Sequence, residues 1–132
     1  MVENFGAGLI SLGVKEKDVV TLYASNSWEW IVSYFAIARI GAVINPVNTM
    51  LTPSEIIYVV NDCGAKTIIC SEDKIQALED IRKHTQIKNI ISFGEKRDGI
   101  DSFKSILARN LSIEKEPNVS PGDLSTIAYT SG

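Results

Sequence analysis

The feature that most constrains this fold is an alternation of short, almost continuously apolar runs with stretches of helical periodicity. Val19-Val20-Thr21-Leu22-Tyr23-Ala24 follows the charged Lys15-Glu16-Lys17-Asp18, and comparable runs recur at Ala42-Val43-Ile44, Thr67-Ile68-Ile69-Cys70 and Asn89-Ile90-Ile91-Ser92-Phe93. A strand with one wet face alternates apolar and polar residues; these runs do not, so both of their faces are expected to be buried. Repetition of strand and helix, with strands of that kind, implies a parallel sheet covered by helices on both faces. The expected fold class is α/β, a doubly wound parallel sheet.

The intervening helices carry their own punctuation. Val2, Phe5, Leu9 and Leu12 follow helical spacing and Gly13 stops them, although Gly6 and Gly8 each weaken a helix by roughly 1 kcal/mol relative to Ala. Asn26 with Glu29 is expected to cap the second helix, with Ile31, Tyr34, Phe35 and Ala38 as its inward stripe. Trp28 and Trp30, near that helix start, are read as packing residues. Pro46 forbids a continued central ladder after Ile44-Asn45. Thr52-Pro53-Ser54-Glu55 is a capping box with proline at the first helical position, and Gly64 ends the helix whose inward residues are Ile56, Val59, Val60 and Cys63. Ser71 with Glu72 and Asp73 opens a fourth helix with Ile75, Leu78 and Ile81 on its apolar side. Gly94 to Gly99 reads as a charged surface loop, Phe103, Ile106 and Leu107 as a short helix, and residues 110–122 as a surface linker.

Thr126 to Tyr129 reads as a final buried strand running into Thr130-Ser131-Gly132. Small hydroxylated residues and glycine at the carboxyl end of a strand supply hydroxyls and a concave array of backbone N–H groups, a cradle for phosphate. The glycines Gly6, Gly8 and Gly13 do not form a dinucleotide fingerprint, because they precede the first strand.

Composition narrows the function classes. The net charge of −3, without a long Lys/Arg cluster, argues against nucleic acid as a partner. No apolar run approaches the roughly 18 residues of a membrane span. Glu3 and Asn4 replace the basic start of a secretory signal, and Cys63 and Cys70, without metal-ligand spacing, read as reduced core thiols. A cytoplasmic enzyme fits these signs. His84, the only histidine, falls at a helix end and is read as exposed or capping. No residue qualifies as an acid, base, nucleophile or metal ligand.

In their order along the chain these motifs resemble the N-terminal region of the AMP-forming acyl-CoA synthetase, or adenylate-forming, family. Gly8-Leu9 with Leu12-Gly13-Val14, Lys17-Asp18-Val19-Val20, Asn26-Ser27 with Glu29, Ala38 through Asn48, Leu51 through Glu55, Asp62 through Lys66, and Asp123-Leu124 through Gly132 carry the resemblance. It implies a Rossmann- or flavodoxin-like subdomain of a larger, multi-subdomain enzyme. Residues 1–132 would then be a single N-terminal subdomain fragment of an AMP-binding domain, with 110–122 as linker and 123–132 as strand and start of the phosphate loop. The implied parent activates a carboxylic acid, a medium- or long-chain fatty acid by default, as an acyl-adenylate and transfers it to coenzyme A. Aryl, bile-type and dicarboxylic acids stay open. ATP, Mg²⁺ and coenzyme A are the implied cofactors, and Thr130, Ser131 and Gly132 would contact the ATP phosphates. The loop lysine, acyl pocket, Mg²⁺-binding Glu and C-terminal catalytic Lys are expected beyond Gly132, so the fragment is expected to be inactive. Surfaces that normally meet the remaining subdomains are expected to expose apolar area and favour self-association. The alternative is a self-contained flavodoxin-like module for a small ligand or regulatory partner.

Overall fold

The computed structural model describes residues 1–129. The chain runs α1 (Val2–Ser11), β1 (Val19–Tyr23), α2 (Trp28–Arg39), β2 (Val43–Pro46), α3 (Pro53–Cys63), β3 (Thr67–Cys70), a 3₁₀ turn (Glu72–Lys74), α4 (Ile75–Lys83), β4 (Asn89–Ser92), β5 (Asp101–Ser102) and α5 (Phe103–Ala108). The strands form one sheet in the order β2-β1-β3-β4-β5, every neighbouring pair parallel. This is the doubly wound arrangement expected, with the order reversing between β1 and β3.

Strand side chains alternate between two cores. Val20, Leu22, Ile44, Ile69 and Ile91 pack with Phe5 and Leu9 of α1, Ala36 and Ile37 of α2, and Phe103 and Ile106 of α5. Tyr23, Ile68, Cys70 and Ile90 pack on the opposite face with Ile56 and Val60 of α3 and Leu78 and Ile81 of α4. Each of the Val, Leu, Ile and Phe side chains among them contributes about 1.5–3 kcal/mol when fully buried. The unbroken apolar runs are thus consumed on both sides of the sheet.

Local signals set several boundaries. Thr52 Oγ1 accepts from the Glu55 N–H at 3.3 Å while Glu55 Oε1 accepts from the Thr52 N–H at 3.0 Å, the capping box anticipated. Gly64 closes α3 at φ +73, a left-handed conformation that disfavours a side chain.

Other expectations are corrected. Ser27, not Asn26, caps α2, its hydroxyl accepting from the Trp30 N–H at 3.2 Å. The buried face of α2 is Val32, Ser33, Ala36 and Ile37, whereas Ile31 and Phe35 are 54% and 55% exposed. Apolar residues surround this helix, so spacing alone did not select a face; close approach of α1 selected the side with small residues. A Cβ at Gly6 would come within 3.0 Å of Ile40 Cγ2 and 3.5 Å of the Ala36 carbonyl. Ser71 makes no capping bond, and a 3₁₀ turn precedes α4. The two-residue β5 was too short to carry a sequence signal. Finally, Thr126 and Ile127 form only a parallel bridge to Ile44 of β2, and they are half-buried instead of buried. They lie beyond β2, where among the described residues a neighbour is present on one side only.

Candidate functional site

Parallel strands deliver all their carboxyl ends to one edge. Here that edge carries Ala24-Ser25-Asn26 after β1, Val47-Asn48-Thr49 after β2, Ser71 after β3, and Tyr129 after the bridged segment. Two clefts open along it. One of about 350 Å³ is lined by Ser25, Asn26, Trp30, Pro46 and Asn48. A larger one of about 590 Å³ lies between α3 and Tyr129, lined by Asn48, Leu51, Glu55, Tyr58 and Tyr129. The smaller is bounded by the loops that leave β1 and β2, and the larger lies on the β2 side of the sheet.

The segment that leads to the expected phosphate contacts is tied down by named bonds. The Ile44 N–H donates to the Ser125 carbonyl at 2.8 Å, and the Ile127 N–H donates to the Ile44 carbonyl at 2.8 Å. Asn45, fully buried in β2, donates from Nδ2 to the Ile127 carbonyl at 2.9 Å. Its Oδ1 accepts from the Thr21 hydroxyl of β1 at 2.9 Å, the two residues being register partners. A buried asparagine is tolerated because both ends of its amide are bonded. At the end of the segment, the Tyr129 hydroxyl donates to Asp62 Oδ2 at 2.6 Å. That bond to a carboxylate, above all, holds the Tyr129 phenol well above the usual tyrosine range. Tyr129 therefore stays protonated and neutral at physiological pH.

Lys74 approaches this edge beside the ends of β2 and β3. Lys74 Nζ donates to the Thr49 carbonyl at 3.1 Å and lies 5.3 Å from the centre of the Tyr23 ring, with Asp73 at 3.8 Å. It braces the loop after β2 against the end of β3. The carboxylates read as caps or surface charges mostly hold such roles. Asp18 accepts from the Lys15 N–H at 2.9 Å, and Glu55 is held in the capping box, whose hydrogen bonds from Thr52 keep its carboxyl below the usual range. Glu29 is not in a capping box. Burial pushes the Cys70 thiol up to about 12 and raises the Cys63 thiol; both cysteines are free. His84 is exposed at the end of α4, its Nδ1 within 2.9 Å of the Asp80 carbonyl. Among the described residues no group of three or more His, Cys, Asp or Glu could hold a metal, and no helix is long and apolar enough to cross a membrane.

Thr130, Ser131 and Gly132, the expected phosphate contacts, lie outside the described residues. What the structure adds, and sequence reasoning missed, is Asn45 with Thr21 beneath the segment that reaches them. The available signal was an amide residue inside an apolar run and immediately before a proline.

The model of the family described as AMP-binding enzyme matches residues 1–132. A crotonobetaine/carnitine–CoA ligase of Salmonella enteritidis PT4 is 29% identical over 128 residues, covering 92% of this chain and 25% of that protein. The crystal structure of the anthranilate CoA ligase AuaEII in complex with anthranoyl-AMP superposes with a TM-score of 0.91 at 30% identity, covering 99% of this chain and 26% of that one. A long-chain-fatty-acid-CoA ligase from Archaeoglobus fulgidus superposes at 0.86 with 21% identity, covering 99% and 26%, a likeness of fold alone. The chain thus spans about a quarter of the length of these relatives.

Proposed function

The chain belongs to the AMP-binding enzyme family along its whole length, and from that premise we propose that it is the N-terminal subdomain of an AMP-forming carboxylate–CoA ligase. The observation that carries the reading is the match over residues 1–132, joined to close superposition on a CoA ligase that holds an acyl-adenylate. Family membership supports this reading over the alternative of a self-contained module. In the reaction, a carboxylate oxygen attacks the α-phosphorus of ATP and pyrophosphate leaves. The thiol of coenzyme A then attacks the acyl carbon of the acyl-adenylate, and AMP leaves.

Such transfer depends on placing phosphates against donors that need not reorganise. The proposed donors are the hydroxyls and amides of Thr130, Ser131 and Gly132. Support comes from the parallel sheet, which brings Tyr129 out at the same edge as the ends of β1 and β2. Mg²⁺ would accompany ATP, but the described residues offer it no cluster of ligands, and no step here runs through the metal. None of the described side chains serves as acid, base or nucleophile in this reading, so the 132-residue chain alone is proposed to be silent. The free thiols Cys63 and Cys70 support a cytoplasmic setting.

For the acid, a medium- or long-chain fatty acid is the first reading, carried over as the default of the family. An aryl acid is the second, favoured by the higher identity to the anthranilate enzyme. The test is carboxylate-dependent ATP–pyrophosphate exchange by the full-length protein across fatty, aryl and small zwitterionic acids, followed by CoA-thioester formation. Exchange with one class of acid, and none by the 132-residue chain, is expected. Absence of exchange with every acid in the panel overturns the ligase reading.

A further inference from the structure

The hydrogen-bond phase of β2 leaves a gap that one side chain fills. Odd-numbered residues of β2 face β1: the Val43 N–H donates to the Asp18 carbonyl at 2.8 Å, and past the strand end the Val47 N–H donates to the Leu22 carbonyl at 3.1 Å. Even-numbered residues face the terminal segment, since the Ile44 N–H donates to the Ser125 carbonyl at 2.8 Å. In a parallel ladder the next donor toward that segment is the N–H two residues on, and its acceptor is the Ile127 carbonyl. That position is Pro46, which has no N–H. The Ile127 carbonyl instead accepts from Asn45 Nδ2 at 2.9 Å.

We propose that Asn45 is a positioning residue. Its side-chain amide replaces the ladder donor missing at Pro46, and this fixes where the segment leading to the phosphate contacts leaves the sheet. Proline stops the ladder, so the chain is free to depart toward Asp62, which accepts from the Tyr129 hydroxyl at 2.6 Å. The amide prevents the last carbonyl from being left without a donor. The Thr21 hydroxyl, at 2.9 Å from Asn45 Oδ1, orients the amide so that its NH₂ points outward to Ile127. Thr21 and Asn45 are both fully buried, so this orientation has no competitor from water. The link to ATP rests on the ligase reading above; the link to the segment does not.

The test uses the full-length protein in three forms: wild type, Thr21→Val with Asn45→Leu, and the same pair with Pro46→Ala. The first pair removes donor and acceptor together, so no buried partner is stranded between β1 and β2. The third substitution restores a backbone N–H that faces the Ile127 carbonyl. Amide hydrogen exchange over residues 125–129 is expected to speed up about 5- to 10-fold in the pair and to return toward wild type with Pro46→Ala. The KM for ATP is expected to rise about 10-fold in the pair, with the KM for the carboxylate unchanged, and to recover with Pro46→Ala. A role of Asn45 in packing alone would not be repaired by changing a proline. Unaltered exchange in the pair, or no recovery in the folded triple variant, overturns the proposal. If the wild type shows no carboxylate-dependent activity, the ligase reading fails, and the exchange measurement still decides the anchor by the same recovery.

Discussion

Replacing Gly8 by alanine should destabilise this protein, although helix propensity alone predicts the opposite. Gly8 lies inside α1, where Gly→Ala ordinarily stabilises by about 1 kcal/mol. Here α1 lies so close to α5 that a Cβ on residue 8 would overlap the Ile106 Cγ2 methyl. Ile106 is only 4% exposed and cannot swing into solvent, so the methyl must push the two helices apart or force a strained rotamer. Overpacking of this kind costs about 1–3 kcal/mol. Set against the propensity gain, the net loss is about 0–2 kcal/mol, centred near 1 kcal/mol. With a urea slope of about 1–3 kcal/mol/M, a 1 kcal/mol loss lowers the midpoint by about 0.3–1 M. Ile106→Ala supplies the control. Alone it should cost about 2–5 kcal/mol by opening a cavity. In the Gly8→Ala background the new methyl relieves its clash by entering that space, so the same change should cost less by about 1 kcal/mol. A Gly8→Ala variant that raises the midpoint, or single effects that simply add, would refute the claim that glycine is there to let two helices touch.

Two further outcomes follow from burial and exposure. Burial, reinforced by Asp73, pushes the Cys70 thiol from 9.0 to about 12. The folded thiol therefore keeps its proton while the unfolded one ionises, so this contribution is complete below pH 9 and is lost as pH rises toward 12. At pH 10.5 the loss relative to pH 8 is about 2 kcal/mol, and Cys70→Val should flatten that part of the pH dependence of the urea midpoint; an unchanged slope in the variant counts against it. Trp28, Ile31 and Phe35 are 49%, 54% and 55% exposed at helical spacing on α2, an apolar stripe that should make the 132-residue chain self-associate. Sedimentation is expected to show concentration-dependent assembly, abolished by Ile31→Glu with Phe35→Glu; a monomer at all concentrations without those changes disproves it.

Legibility in the sequence followed the range of the forces involved. Capping at Thr52 and Glu55, the stop at Gly64, and burial of the runs at 19–24, 67–70 and 89–93 on both faces depend on residues a few positions apart, and the structure has them as the sequence implies. The parallel α/β class follows from the same repetition. The family resemblance was likewise legible, because it rested on short motifs in order. Tertiary structure alone decided which face of α2 is inward, since an almost uniformly apolar helix offers no periodic preference and the approach of Gly6 in α1 chose for it. It also decided that Thr126 and Ile127 take only an outer place beside β2. The role of Asn45 belongs there too. An asparagine before a proline becomes a ladder donor only when a distant carbonyl, 82 residues later in the chain, is brought opposite the missing N–H, and no local propensity encodes that meeting.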